Sequence, residues 1–206
     1  MTKLQAALDG TFEQAAAIMK EVAPFVQIAE IGTPLIYREG IRVAQYLHER
    51  FPNLTLLADL KIVDAGDEEA SIAFATGCDY VTVMGVAGDR TIEGAVSAAR
   101  RFGRKVVADL LQVNDPVKRA SELLALGCDV LCIHTAFDDR AVASPVETLR
   151  LVRNALPEAP LAAAGGIRLD SLETLMTAQP DIVVAGGAIT RAGNPAQVAR
   201  SFRERM

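Results

Sequence analysis

Short apolar runs alternate with longer amphipathic segments eight times along this chain, and no other feature restricts its fold as severely. The runs fall at residues 4–8, 25–31, 54–60, 80–83, 105–110, 130–133, 161–164 and 182–185. Most are closed by a polar residue or a glycine. A strand that is apolar on both faces belongs in a parallel sheet covered by helices. Helical spacing occupies the intervals, at 11–21, 35–50, 68–76, 91–102, 116–126, 145–156, 169–177 and 195–205. Asp115-Pro116, Ser144-Pro145 and Asn194-Pro195 each set a capping residue before a proline at the first helical position. About 26 residues per β-α pair predicts an α/β fold, a compact closed (β/α)8 TIM barrel that forms one domain over residues 1–206. An open, doubly wound sheet is the competing architecture, and in both the ligands gather at the carboxyl ends of the strands.

Internal repetition supports the barrel. Ala58-Asp59-Leu60 recurs fifty residues later as Ala108-Asp109-Leu110, and Gly77-Cys78-Asp79 recurs at the same offset as Gly127-Cys128-Asp129. The repeat is also an internal control, because positions needed only for packing should keep their character in both copies. Lys61 aligns with Leu111, Asp64 with Asn114 and Met84 with His134. The fold therefore does not demand these polar groups, which makes them candidates for chemistry.

Composition removes whole classes of function. The net charge is −5, tryptophan is absent and aromatics make up 5% of residues, so a basic stacking surface for nucleic acid is excluded. Cys78, Cys128 and Cys132 lie in apolar runs without a CxxC spacing and read as reduced core residues. No leader-like segment and no bilayer-length apolar run is apparent, so a soluble cytoplasmic protein with no membrane partner is expected.

The last residues of the predicted strands are Asp9, Glu30, Asp59 with Lys61, Met84, Asp109, His134, Gly165-Gly166 and Gly186-Gly187. A packed barrel interior favours Val, Ile and Leu, yet five of the eight strands bring an ionisable group to one rim. A single such group is as readily a helix cap or a solvated carboxylate; five together point to a shared polar site. In an extended strand residues 59 and 61 face the same side, so the Asp59 carboxylate would keep Lys61 protonated and aimed at a developing oxyanion. A purely structural ion pair is the alternative, and the repeat discards it at 109–111. Glu30 and Asp59, with Asp9 beside them, offer hard oxygen ligands suited to Mg²⁺, although a metal-free cluster has the same spacing. His134 has the chemistry of a general acid or base near neutral pH, or else of a satisfied core histidine, whereas His48 lies late in a helix and reads as surface. A glycine pair after each of the last two strands matches the place where such barrels hold phosphate on backbone N–H groups, with Thr190 and Arg191 just beyond.

Five segments in order carry a family likeness: Leu4-Gln5-Ala6-Ala7-Leu8-Asp9, Glu30-Ile31-Gly32-Thr33-Pro34, Ala58-Asp59-Leu60-Lys61-Ile62-Val63-Asp64-Ala65-Gly66, His134-Thr135-Ala136-Phe137-Asp138 and Ala164-Gly165-Gly166-Ile167. Over essentially the whole chain they resemble the 3-hexulose-6-phosphate synthases, a family of aldehyde-lyases in the orotidine 5′-phosphate decarboxylase superfamily of ribulose-phosphate-binding barrels. The resemblance implies a Mg²⁺-dependent, reversible aldol condensation of D-ribulose 5-phosphate with formaldehyde to D-arabino-hex-3-ulose 6-phosphate through an enediolate. It implies Glu30 and Asp59 as metal ligands, and Lys61, His134, Asp64 and Asp59 as catalytic residues. Asp9, Thr33, Gly165, Gly166, Gly186 and Gly187 would bind substrate, and the enzyme would be a homodimer in which Asp64 reaches the neighbour's site. The related 3-keto-L-gulonate-6-phosphate decarboxylases share most of these residues but carry an arginine three positions after the histidine, where this chain has Phe137. Two readings from other classes also stand: an aldolase with a Schiff base on Lys61, and a phosphosugar-binding protein without catalysis.

Overall fold

The computed structural model of the chain describes residues 1–139 and 144–206. Eight parallel strands close into a barrel in sequence order: β1 (Lys3–Leu8), β2 (Ile28–Ile31), β3 (Thr55–Ile62), β4 (Tyr80–Met84), β5 (Lys105–Asp109), β6 (Val130–His134), β7 (Leu161–Ala164) and β8 (Ile182–Ala185), with β8 pairing back onto β1. The connecting helices are α1 (Phe12–Val22), α2 (Thr33–Glu39), α3 (Val43–Arg50), α4 (Gly66–Ala75), α5 (Asp89–Phe102), α6 (Pro116–Ala125), α7 (Val146–Ala155), α8 (Leu172–Met176), α9 (Gly187–Thr190) and α10 (Pro195–Arg205).

Successive strand residues point to opposite faces, and both faces are apolar here. One set, including Leu4, Ala6, Leu8, Ile31, Leu56, Ala58, Val81 and Val83, packs with the helices into the outer core. The other set, including Ala7, Ile28, Leu57, Val107, Val130, Cys132, Ala162, Ala164, Ile182 and Val184, forms a separate cluster inside the barrel. Two residues further along the same parity lie Asp9 after Ala7, Glu30 after Ile28, Asp59 after Leu57, Asp109 after Val107 and His134 after Cys132. The polar rim is therefore the next layer of one side-chain stack, carried by strand residues except for Asp9, which lies one residue past β1.

At the opposite end of the barrel one device recurs four times. The side chain just before each even-numbered strand accepts a hydrogen bond from the N–H of the second residue of the preceding strand, or of the first in the case of β7. Gln27 Oε1 takes Leu4 N (3.0 Å), Asp79 Oδ2 takes Leu56 N (2.8 Å), Asp129 Oδ2 takes Val106 N (2.9 Å) and Asp181 Oδ2 takes Leu161 N (2.8 Å). This clamp accounts for the repeated Cys-Asp at 78–79 and 128–129: the duplicated aspartates register one strand against the next.

Several boundaries differ from those the sequence predicts. The segment 35–50 is two helices, because Gly40 at φ 75° ends α2 with its N–H on Ile36 O (2.8 Å). β2 starts only at Ile28, since the Phe25 N–H still bonds to Val22 O in the turn that closes α1. Asp115 and Asn194 cap α6 and α10 as expected, but Pro145 stands before the first turn of α7 and not inside it. The short α9 directly after β8 has no counterpart in the predicted elements. The three cysteines are buried and free, and no helix among the described residues is long and apolar enough to cross a membrane.

Asp129→Ala leaves the Val106 N–H without its acceptor inside the barrel base and should cost about 1–3 kcal/mol of stability. Asp129→Asn keeps an acceptor and should lose clearly less, the two being compared by urea denaturation.

Candidate active site

β2 through β6 line the rim with polar side chains: Asp59, Lys61, Asp109 and His134 are linked in one network, and Glu30 stands beside it on its own partner from β1. Glu30 is 9% exposed and accepts a hydrogen bond from the buried amide of Gln5 on β1, Nε2 to Oε2 at 2.6 Å. Asp59 on β3 receives the Lys61 ammonium on both oxygens, at 2.8 and 2.6 Å. The Thr33 hydroxyl lies 2.6 Å from the Asp59 carbonyl and 2.9 Å from its Oδ2, while the Thr82 hydroxyl donates to Oδ1 at 2.9 Å. Lys61 Nζ is 3.6 Å from Asp109 Oδ2, and that same oxygen is 2.8 Å from His134 Nδ1. Lysine, aspartate and histidine thus form a chain across three strands.

The expectation that an extended strand carries Asp59 and Lys61 side by side reaches the right contact by the wrong route. Lys61 has φ 51°, in the left-handed region, and the pairing of β3 with β4 slips between Ala58 and Ile62. The chain bulges there, and the long lysine side chain returns to the carboxylate.

Charges in this layer are strongly interdependent. Burial works against the Lys61 charge, but the Asp59 and Asp109 carboxylates outweigh it and hold the ammonium well above its ordinary range. Burial likewise disfavours a charged His134, and the hydrogen bond and charge of Asp109 overcome it, raising the imidazole above its usual value. Burial pushes Asp109 up, while His134 and Lys61 pull it further down, so its carboxylate is ionised. Glu30 goes the other way: burial, then repulsion from Asp59, push it up to about 8 against the Gln5 hydrogen bond and Lys61. Asp9 is raised by burial and Asp59, partly offset by Lys61, Arg191 and Arg38.

Glu30 and Asp59 lie on neighbouring strands, and a cation between them would offset the burial and the Asp59 repulsion that together hold Glu30 up. No group of three or more His, Cys, Asp or Glu side chains among the described residues could hold a metal ion. Two carboxylates are hard oxygen donors of the kind Mg²⁺ takes alongside several waters.

The glycine pairs lie at the adjoining edge of the mouth. Gly165 (φ 97°) and Gly166 (φ 67°) both occupy the left-handed region, and a Cβ on Gly165 would meet Thr135 O at 2.2 Å. Glycine is obligatory there. A Cβ on Gly186 would make only ordinary contacts, and Gly187 opens α9. The N–H groups of Gly165, Gly166 and Gly186 donate to no other backbone group among the described residues. Asp64 stands apart from the network: it is exposed, and its Oδ1 takes the Ala65 N–H at 2.8 Å. Phe137 is 61% exposed beyond His134. Two members of the layer, Gln5 and Thr82, are missed by a reading of strand ends alone; a polar residue within an otherwise apolar strand is the signal that exposes them.

The chain as a whole is similar to known proteins. A profile of the Orotidine 5'-phosphate decarboxylase / HUMPS family matches residues 2–202. The 3-hexulose-6-phosphate synthase of Staphylococcus haemolyticus is 40% identical over 193 residues, 93% of this chain and 92% of that protein. The enzyme of the same name from Bacillus subtilis is 40% identical over 204 residues, 98% of this chain and 97% of its own. The crystal structure of 3-hexulose-6-phosphate synthase from Salmonella typhimurium superposes with a TM-score of 0.95 at 38% identity, covering 98% of this chain and 97% of that one. The chain belongs to the orotidine 5′-phosphate decarboxylase/HUMPS family of (β/α)8 barrels. Within that family it falls with the 3-hexulose-6-phosphate synthases.

The position of Glu30 has a measurable cost. Its raised pKa means that the native state holds the proton more tightly than the unfolded chain, where the group titrates near 4.5. The corresponding stability is complete below pH 4.5 and is lost as pH rises through about 8. In chelator, Glu30→Gln should be more stable than the wild type above pH 8 by about 2–4 kcal/mol and indistinguishable near pH 4, as read from urea melts.

Proposed function

We propose that this protein condenses D-ribulose 5-phosphate with formaldehyde, reversibly, to D-arabino-hex-3-ulose 6-phosphate, with Mg²⁺ as cofactor. The observation that carries this reading is the Asp59–Lys61–Asp109–His134 chain at the mouth of a barrel whose relatives at about 40% identity are named for that synthesis.

The C1 proton of the ketose lies next to the C2 carbonyl and is too weakly acidic to leave unaided near neutral pH. Mg²⁺ held by Glu30 and Asp59 would supply Lewis-acid polarisation of that carbonyl. Lys61, kept cationic by its two carboxylate neighbours, stabilises the negative charge that develops on the C1 and C2 oxygens. His134 moves the proton: its Nδ1 is tied to Asp109, which leaves Nε2 to face the substrate. C1 then bonds to the formaldehyde carbon, and the formaldehyde oxygen takes up a proton to become the new hydroxyl. Asp9 and Thr33 orient the sugar hydroxyls. The free N–H groups around Gly165-Gly166 and Gly186-Gly187, with Arg191, anchor the 5-phosphate, so that remote binding energy orients the small reactive end. The exposed Asp64 suits a homodimer in which it completes the partner's site, and size-exclusion chromatography with light scattering reads that state directly.

Ribulose 5-phosphate with formaldehyde should turn over, and 3-keto-L-gulonate 6-phosphate should react far more slowly. EDTA should abolish the activity and Mg²⁺ restore it. Lys61→Ala and His134→Ala should each lower kcat by roughly 10²–10⁴-fold with the fold intact by circular dichroism. Deuterium from heavy water should enter C1 of ribulose 5-phosphate in the absence of formaldehyde. Borohydride should trap no adduct on Lys61; a trapped adduct would show a Schiff-base aldolase instead.

A further inference from the structure

Ala58 of β3 pairs with Val81 of β4, and Ile62 pairs with Val83, so three residues of β3 are set against the single residue Thr82. That bulge contains Asp59 and Lys61. Lys61 carries its backbone at φ 51°, a conformation an L residue does not hold without help. Thr82 is 6% exposed, and its hydroxyl makes two contacts into the bulge. It accepts the Lys61 N–H at 2.9 Å and donates its own proton to Asp59 Oδ1 at 2.9 Å. A hydroxyl is the smallest group able to do both at once.

The internal repeat supplies the comparison. Fifty residues on, Asp109 corresponds to Asp59, Leu111 to Lys61 and Cys132 to Thr82. There Asp109 pairs directly with Cys132, and the Leu111 N–H is taken by the carboxylate itself, Asp109 Oδ1 at 2.9 Å. In the copy without a lysine, the aspartate thus commits an oxygen to its own loop. In the copy with one, the threonine accepts that N–H, and both Asp59 oxygens are within 2.8 Å of Nζ.

We propose that Thr82 is a positioning residue of this enzyme: its hydroxyl holds the Lys61 bulge and releases the Asp59 carboxylate from backbone duty, so that the Asp59–Lys61 pair faces substrate in one geometry. Its effect on turnover rests on the role given to Lys61 above, whereas its effect on the bulge does not.

Thr82→Val keeps the shape and removes the hydroxyl, and Thr82→Ser keeps the hydroxyl and removes the methyl. The valine variant should lose roughly 30-fold or more in kcat while KM for ribulose 5-phosphate moves by less than about 3-fold, because the phosphate is anchored on other strands. The serine variant should stay within about 3-fold of wild type in kcat. Hydrogen exchange of the Lys61 amide, followed by NMR without substrate, should accelerate roughly 10-fold or more in the valine variant and remain slow in the serine one. Should Thr82→Val fail to fold, Thr82→Cys, the residue of the second copy, takes its place in both measurements. A valine or cysteine variant with near-normal kcat and a protected Lys61 amide overturns the proposal, as does an equal loss in the serine and valine variants, which would mean packing alone. A wild type inactive on ribulose 5-phosphate and formaldehyde would sink the functional reading and leave the amide measurement to decide the bulge.

Discussion

One ammonium between two buried carboxylates governs the upper layer of this barrel. Lys61 lies against Asp59 and 3.6 Å from Asp109, and neither side of the arrangement is stable alone in a poorly solvated site. Removing the lysine would leave Asp59 without its counter-charge beside Glu30 and Asp109 with His134 alone; removing either acid would weaken the hold on a charge that burial already opposes. The surrounding structure is arranged to satisfy this set. Thr33 and Thr82 hydrogen-bond to Asp59, Leu111 N–H and His134 bind Asp109, and Gln5 binds Glu30. A site built this way keeps its charges fixed before a ligand arrives, which is the condition for electrostatic stabilisation without reorganisation.

The barrel was legible in the sequence because its strands are apolar on both faces and its loops are short, so each β-α pair stands out by composition alone. Glu30, Asp59, Asp109 and His134 were legible for a related reason: an ionisable residue that continues the inward parity of an apolar strand is costly to bury and persists where a polar site needs it. What the pattern could not convey was irregular backbone. The αL turn at Lys61 depends on one φ angle and on a hydrogen bond to distant Thr82, while the glycine break at Gly40 and the short α9 depend on local backbone bonds that hydropathy does not mark. Thr82 carries only the faint mark of a polar residue in an apolar strand, and the bulge opposite is what gives its hydroxyl two partners. Asp64 shows the converse, for its place in the D-x-K-x-x-D pattern is plain while, among the described residues, its exposed side chain bonds only to the neighbouring Ala65 N–H.

The two copies of the internal repeat divide the labour between the ends of the barrel. At the base, Asp79 and Asp129 perform the same clamping task on Leu56 and Val106. At the mouth, the corresponding residues have parted: lysine against leucine, threonine against cysteine, methionine against histidine. The base sets strand register and tolerates little change, whereas the mouth is free to vary because its residues need only emerge from a frame already fixed.

The seam between β1 and β8, where Lys3 to Ala6 lie against Ile182 to Ala185, sets the order of events during synthesis. A nascent chain presents β1 long before the β8 strand that it pairs with has been made. Until then the incomplete sheet has two bare edges, so assembly is governed by contacts of extreme sequence separation and the window for mispairing with other chains is long.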